Sequence, residues 1–473
     1  MIGCHRMPGA SPDPFPSGAN VATSANLLTV SEVIDRQPMG RFQIQAIVLC
    51  CVVAVLDGFD SQCIGFLAPS MAGTLGIPVK AFGPVFAAGL FGYLIAALAM
   101  GPVADRWGRK WPVIFATLTF AIFALLTART TSLHDLLLLR FLTGLGLGGA
   151  MPNIVALASE YAPRRLLAVV VASLFLGMPL GALLGSLISS VVIPVWGWQS
   201  VFYVGGILPL LLAAILVRSL PESVRFLTVR RSNPQAVSRI MQRISPGWRS
   251  APDRPLLAAE SKPRHMPVQA LFTEGRAAGT ILLWIPYFMN LLMLYFIVSW
   301  LPSLLWQAGM PVSAGVRAIA LFSIGGIAGS IAEGRLINRW GAGAVLSVEF
   351  AWCTLLIGSL ALAPVTLGFT LAVTLVLGFC SQGAQAGLNV LAASFYPTPI
   401  RSTGAGWALG VGRVGSIIGP LIGGLMVSWQ WGLQRIFAAG AAIALCATLV
   451  MMVRSRLQNA AAARNPETDP GVA

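Results

Sequence analysis

The chain has 473 residues, of which 56% are hydrophobic and 10% charged, with a mean hydropathy of +0.79. A soluble domain carries roughly 25% charged residues, so this composition argues against a soluble enzyme or binding module. A net charge of +15 would suggest nucleic acid as the partner of a soluble chain. No basic-aromatic nucleic-acid module is present, however, and the charge reads as membrane topology.

In chain order, the first stretch is rich in Pro and Ser (PGASPDPFPSG) and lacks the basic-then-apolar pattern of a signal peptide. Residues 1–41 are expected to be a disordered cytoplasmic tail, or in part a misassigned start. Twelve apolar runs follow, at about 43–68, 82–103, 111–128, 136–158, 166–193, 200–218, 277–302, 317–337, 344–363, 366–393, 404–428 and 436–453. Each is about as long as a bilayer crossing requires, and each must be helical because lipid cannot satisfy free backbone groups. The expected fold is an all-α membrane protein with twelve transmembrane helices in two six-helix halves, 42–218 and 277–453. A polar linker, 219–276, and a short tail, 454–473, lie outside the bilayer. If both ends are inside, only Lys80, Arg129, Arg317 and Arg435 of the 31 Lys and Arg fall in outer loops, and Arg140 and Arg413 fall within spans. The other 25 are on the inner side, as the positive-inside rule demands. The expected location is the cell inner membrane, multi-pass, with both termini cytoplasmic.

The first run holds VAVLDGFDSQCIGF, with Asp57 and Asp60 three apart. A charge at bilayer depth costs about 2.5–3.5 kcal/mol on insertion scales, so two carboxylates there demand a reason. Positions i and i+3 share a helix face, and Gly58 between them admits a neighbouring backbone or a ligand. Counted from a start near Phe42, Asp57 lies about 20 Å in, in the outer half of the bilayer. Desolvation and a neighbouring like charge both favour a protonated carboxyl, so the two are read as one proton-coupling unit. The alternative is that one of them is permanently paired with an Arg and only holds helices together. No span contains a histidine: His5, His134 and His265 lie outside. Carboxylates are therefore the leading proton carriers. Glu160, Glu333 and Glu349 sit near span ends and read as solvated structural groups.

Arg140 and Arg413 are the cations within spans, and each could hold a carboxylate bidentately. Arg140, near the outer end of the fourth span, could instead neutralise the Asp pair. Asn153 in the fourth span, Tyr287, Asn290 and Tyr295 in the seventh, and Gln382, Gln385 and Asn389 in the tenth add amides and phenols. These suit an aromatic ligand with ring hydroxyls, or else hydrogen bonds between helices. The seven cysteines (4, 50, 51, 63, 353, 380 and 446) show no CxxC spacing and read as small packing residues, with no metal and no disulfide implied. No GxxxxGK[ST] phosphate loop occurs, so an ATP-driven pump is disfavoured.

GPVADRWGRK, 101–110, is similar to the loop motif G-x-x-x-D-R-x-G-R-K/R of the major facilitator superfamily, and GRLINRWGAG, 334–343, repeats it in the second half. LDGFD in the first span, PES at 221–223 and FYPTPIRSTGAGWALGVGRVGSIIGPLIGG at 395–424 resemble the aromatic acid:proton symporter family within it. The likeness covers nearly all of 42–453. It implies a non-enzymatic transporter that moves a benzoate or hydroxybenzoate type acid inward with protons by alternating access. Its partners would be a small aromatic carboxylate, protons and the lipid bilayer. It would work as a monomer, with no cofactor and no nucleic acid. Asp57 and Asp60 would couple protons. Arg140, Arg413, Gln382, Gln385, Asn389, Tyr287, Asn290 and Asn153 would face substrate. Gly101, Asp105, Arg106, Gly108 and Arg109, with Arg339 and Arg401 in the second half, would form the gate. There Asp105 would latch the inner side shut by pairing with an Arg and a helix N-terminus. Asn338 and Ala342 replace the matching Asp and basic residue of the repeat, so the latch should be stronger in the first half. A proton-driven exporter of the same fold is the rival reading. It is weakened because GSIIGPLIGG lies in the eleventh span, not the fifth. A chemoreceptor is disfavoured by so small and polar a linker.

Overall fold

Each apolar run closes its own backbone hydrogen bonds as a helix, which is the requirement lipid imposes. The structure, a computed structural model, describes residues 30–230, 234–245, 268–364, 366–397 and 399–464. Twelve membrane-length helical segments are present among them. In the first half they are α2 (Arg41–Leu75), α3 (Phe82–Trp107), α4 (Lys110–Thr127), α5 (Leu133–Tyr161), α6 (Leu167–Phe175) with α7 (Gly177–Trp196), and α8 (Gln199–Ser219). In the second half they are α11 (Ala277–Gln307), α12 (Val312–Trp340), α13 (Ala342–Leu362), α14 (Leu367–Phe395), α15 (Arg401–Ser428) and α16 (Leu433–Arg464). The fifth span breaks at Leu176. Pro179, four residues after Phe175, has no N–H to give to that carbonyl and its ring crowds it.

Short helices lie at the end of the bundle that carries the linker, called the linker side below; the opposite end is the far side. They are α1 (Val30–Arg36), α9 (Val224–Arg230) and α10 (Pro234–Ile244). Of the stretch expected to be a tail, residues 1–29 lie outside the described residues, and Val30–Arg36 is helical. Its apolar Val30, Val33 and Ile34, at i, i+3 and i+4, share one buried cluster with Val237, Met241 and Ile244 of α10.

The two halves repeat one packing scheme. The first span packs on the fifth, the second on the fourth, and the third on the fourth and sixth (α2 on α7, α3 on α5, α4 on α5 and α8). The second half does the same with α11 on α15, α12 on α14, and α13 on α14 and α16. Small residues make the closest approaches, as expected where helices cannot gain by hiding from lipid. A Cβ at Gly148 would overlap the backbone of Tyr93, and one at Gly378 would overlap that of Phe322. These are matching contacts of α5 with α3 and of α14 with α12.

Between halves, α3 meets α15, α7 meets α12, and α2 meets α11. On the far side the contact is tight. A Cβ at Gly83 would stand 3.1 Å from the Gly424 Cα, and the Phe86 and Trp300 rings meet edge to face at 5.6 Å; within the second half, Trp300 Nε1 donates to the Pro420 carbonyl at 2.9 Å. On the linker side Asp105, Arg106, Trp107, Arg339 and Trp340 are exposed. No hydrogen bond or ion pair between described residues crosses from one half to the other there. The halves are sealed on the far side.

Candidate functional site

The helix that carries LDGFD is longer than its apolar run, because it accommodates Pro69 and continues to Leu75. Asp57 is therefore close to the middle of a 35-residue helix, not towards the end of a shorter one. Gly58 serves a backbone and not a ligand: a Cβ there would overlap Met178 at the broken fifth span.

The two carboxylates are buried, at 0% and 1% exposure, yet they have different partners. Asp60 holds Arg140 of α5. Nη1 reaches Oδ2 at 3.1 Å and Oδ1 at 3.4 Å, while Nη2 donates to the Asp60 carbonyl at 3.3 Å. Arg140 is itself 3% exposed, so this is a buried, multiply bonded ion pair. Asp57 accepts from Ser61 Oγ at 2.9 Å through Oδ1, and its Oδ2 has no partner. The cation facing Asp57 is Arg413 of α15, which belongs to the other half and acts through space. Arg413 is half-buried. Its guanidinium lies 4.5 Å over the ring of Tyr93 on α3, and Nη1 donates to Tyr295 Oη on α11 at 3.2 Å. A cavity between the halves is lined by Ser61, Gln62, Tyr93, Arg140, Tyr295 and Ser299, among others. Of this lining, Gln62 Oε1 and Tyr93 Oη have no partner among the described residues, and neither does Asp57 Oδ2, which is outside the lining.

The seventh and tenth spans form a ladder. Tyr287 Oη donates to Asn389 Oδ1 at 2.8 Å, and Asn290 Nδ2 donates to Gln385 Oε1 at 3.0 Å and to the Ser381 carbonyl at 3.2 Å. Gln385 and Asn389 are half-buried, and neither amide nitrogen donates to a described residue. Gln382 turns away and packs against Gly326 of α12. Asn153 is buried and donates back to the Gly149 carbonyl one turn earlier, at 2.8 Å. Tyr93 went unread in the sequence. Its signal was a single phenol inside the apolar second span.

The loop motif forms its network without its Asp. Asp105 and Arg106 are exposed and bond to no described residue, and Gly101 faces open space. Arg109 pairs with Glu160 at 2.9 Å, and Glu160 also accepts from Ser223 Oγ. Glu222 of the PES stretch caps α4: its Oε1 accepts from the backbone N–H of Arg109 at 2.7 Å and of Lys110 at 3.1 Å. A carboxylate at a helix N-terminus meets unpaired donors and the positive end of the dipole. Gly108 has φ 87° and leaves no room for a Cβ beside that carboxylate. Arg339 stacks on Trp340, and Arg401 donates to the Tyr396 carbonyl. Glu222→Ala should release the start of the linker from the first half, at a cost of about 1.5–3 kcal/mol for the charged hydrogen bonds. Limited proteolysis within 224–245 should then be faster than in the wild type; unchanged rates would show that Glu222 does not hold the linker.

Glu333 and Glu349 also correct the sequence reading. They are not solvated span-end groups but are buried, at 1% and 4% exposure. The six described cysteines are free, and no cluster of three metal-ligating side chains exists among the described residues.

Two six-helix repeats, with a buried ion pair lining the cavity between them, define a membrane transporter. Residues 50–408 match the family model of the Major Facilitator Superfamily. The chain is 38% identical over 449 residues to the 4-hydroxybenzoate transporter PcaK of Pseudomonas aeruginosa, covering 92% of this chain and 97% of that one. It is 38% identical over 429 residues to the gallate transporter of Pseudomonas putida, covering 90% and 94%. A solved bacterial homolog of the human lysosomal transporter Spinster, inward-facing and unoccupied, superposes with a TM-score of 0.65 over 88% of this chain and 97% of that chain. At 15% identity that likeness concerns the fold alone. The chain belongs to the major facilitator superfamily, in its group of aromatic acid transporters. It is a multi-pass membrane transporter and not an enzyme.

Proposed function

We propose that this chain carries an aromatic carboxylate of the hydroxybenzoate class into the cell together with a proton. One observation carries the reading. Asp57 has a buried oxygen without a partner, and it faces Arg413 across the interface of the two halves. The relatives' names supply the substrate class. The linker side is assigned to the cytoplasm by its excess of Lys and Arg, so the membrane is the cell inner membrane and both termini are cytoplasmic.

Ionised Asp57 and the substrate carboxylate then compete for Arg413, and a proton on Asp57 favours the substrate. An ionised Asp57 attracts the guanidinium. Protonation removes that attraction and frees Arg413 to bind a substrate carboxylate, bidentately if geometry allows. Tyr93 and Tyr295 flank the guanidinium, so an aromatic ring would find aromatic faces and a phenol beside its carboxylate. The free amides of Gln385 and Asn389 suit ring hydroxyls. Charge balance favours this coupling. An inside-negative potential opposes anion entry by about 2.3 kcal/mol per charge per 100 mV, and one proton per monoanion cancels it. The loaded site is neutral and the halves rock. On the cytoplasmic side Asp57 loses its proton and recaptures Arg413, which expels the acid. Asp60 and Arg140 keep one another neutral throughout, and the exposed Asp105 re-forms a gate contact when the cytoplasmic side closes.

The test is uptake of labelled 4-hydroxybenzoate and protocatechuate into proteoliposomes under an inward proton gradient. Accumulation abolished by an uncoupler is expected. No accumulation of any aromatic acid would overturn the substrate reading and turn attention to export.

A further inference from the structure

The second half contains a carboxyl pair that the transport cycle above does not use. Glu333 of α12 and Glu349 of α13 each lie seven residues from the linker-side end of their helix, about 10 Å into the span. Both carboxyls lie against the same glycine of α14, Gly383. A point one Cβ above Gly383 is 2.7 Å from Glu349 Oε1 and 3.5 Å from Glu333 Oε2, and a Cβ at Gly387 would overlap Glu333 Oε1. All four carboxyl oxygens are buried and none accepts a hydrogen bond from another group. The other titratable groups facing them are the thiols of Cys353 on α13 and Cys380 on α14. No Lys, Arg or His among the described residues pairs with either Glu. Arg335 and Arg339 on the next turns of α12 are exposed, and Arg339 stacks on Trp340. Arg454 of α16 donates to the Gly279 carbonyl and stacks on Phe395.

We infer that Glu333 and Glu349 form a second protonation site, in the half opposite Asp57, that holds one proton shared between the two carboxyls and clasps the eighth, ninth and tenth spans together. Two buried carboxylates against one glycine, without a cation, repel one another when both ionise, and sharing a proton satisfies the charge and the hydrogen bond at once. The glycines at 383 and 387 make the room that the two carboxyls occupy. The ligand is a proton because two neighbouring carboxyls with no cation beside them are neutralised by one; among the described residues no group of three metal-ligating side chains stands close enough to hold a metal. The consequence is a pH-sensitive clasp. It is intact while the shared proton is bound, and it is lost as rising pH removes that proton and leaves two like charges between packed helices.

Infrared spectroscopy of the purified, membrane-reconstituted wild type, grown with carboxyl-¹³C glutamate, tests the clasp without any substitution. At neutral pH a protonated-carboxyl C=O band is expected to shift on glutamate labelling and to vanish on alkalinisation. Labelling that shifts no protonated band overturns the inference. As a second measurement, Glu333→Gln/Glu349→Gln should lack that band, and its thermal midpoint should stay flat over the alkaline range where the wild type loses stability. Equal pH profiles in the two proteins would overturn it too. Asp57→Asn should retain the glutamate band, so failure here and failure of the transport reading are told apart.

Discussion

Asp57→Asn protein is expected to bind and exchange aromatic acid but not to accumulate it. With one proton per monoanion, an imposed gradient of one pH unit corresponds to about tenfold accumulation, because one unit is worth 1.36 kcal/mol. The variant should settle at equal concentrations on both sides. Asn is neutral at every pH, so Arg413 is permanently released and the binding-competent state does not wait for a proton. Counterflow, in which labelled acid exchanges for unlabelled acid without a gradient, should persist at a rate near that of the wild type. The pH dependence of uptake between the two sides should disappear with it. The comparison separates coupling from folding, since a misfolded protein would lose counterflow as well. Gradient-driven accumulation retained by Asp57→Asn would remove Asp57 from the coupling role. Arg413→Lys keeps the charge but loses the planar fork, so it should weaken substrate binding and leave the protein folded.

Asp60→Asn should act on stability first. The Asp60–Arg140 pair is buried on both sides, with three contacts at or below 3.4 Å. Removing the acid leaves a guanidinium in a low-dielectric site with nothing to neutralise it, at a cost of about 3–5 kcal/mol. Asp60→Asn/Arg140→Gln removes both charges and should recover most of that loss, as replacing a whole buried pair often does. Thermal unfolding in detergent, run on the two single variants and the double, measures this directly. A double variant as unstable as Asp60→Asn would show that the two residues do not act as a unit. The contrast with Asp57 is instructive. Two carboxylates one helical turn apart are expected to fail in different ways, because one has its cation in the same half and the other has it across the interface between halves.

That distinction was out of reach of the sequence. LDGFD showed two carboxylates on one face, and the chain held just two cations within spans, so the membership of the site could be read. Which Arg belonged to which Asp is decided by the approach of α5 and α15 to α2, and no spacing within one helix encodes that. The twelve spans and their division into halves were legible because lipid enforces one local rule on each run. Depth was less so: Asp57 was placed from the apparent end of an apolar run, while the helix continued through Pro69 to Leu75. Glu333 and Glu349 were misread for a related reason. Nearness to a span end in sequence suggested water, but Gly383 and Gly387 of another span form the wall that buries them. Asp105 matched its motif in letters, yet the contacts around the motif are made by Glu160 and Glu222. A motif gives the residues that gate over a cycle, and a single conformation engages some of them.

The linker is fastened at both ends, to different halves. Glu222, Tyr161 and α10 moor its start to the first half, while the Thr280 hydroxyl bonds to the Leu271 carbonyl within the second. One continuous chain therefore delivers both bundles to the same membrane at a one-to-one ratio, each end of the linker belonging to the bundle it adjoins.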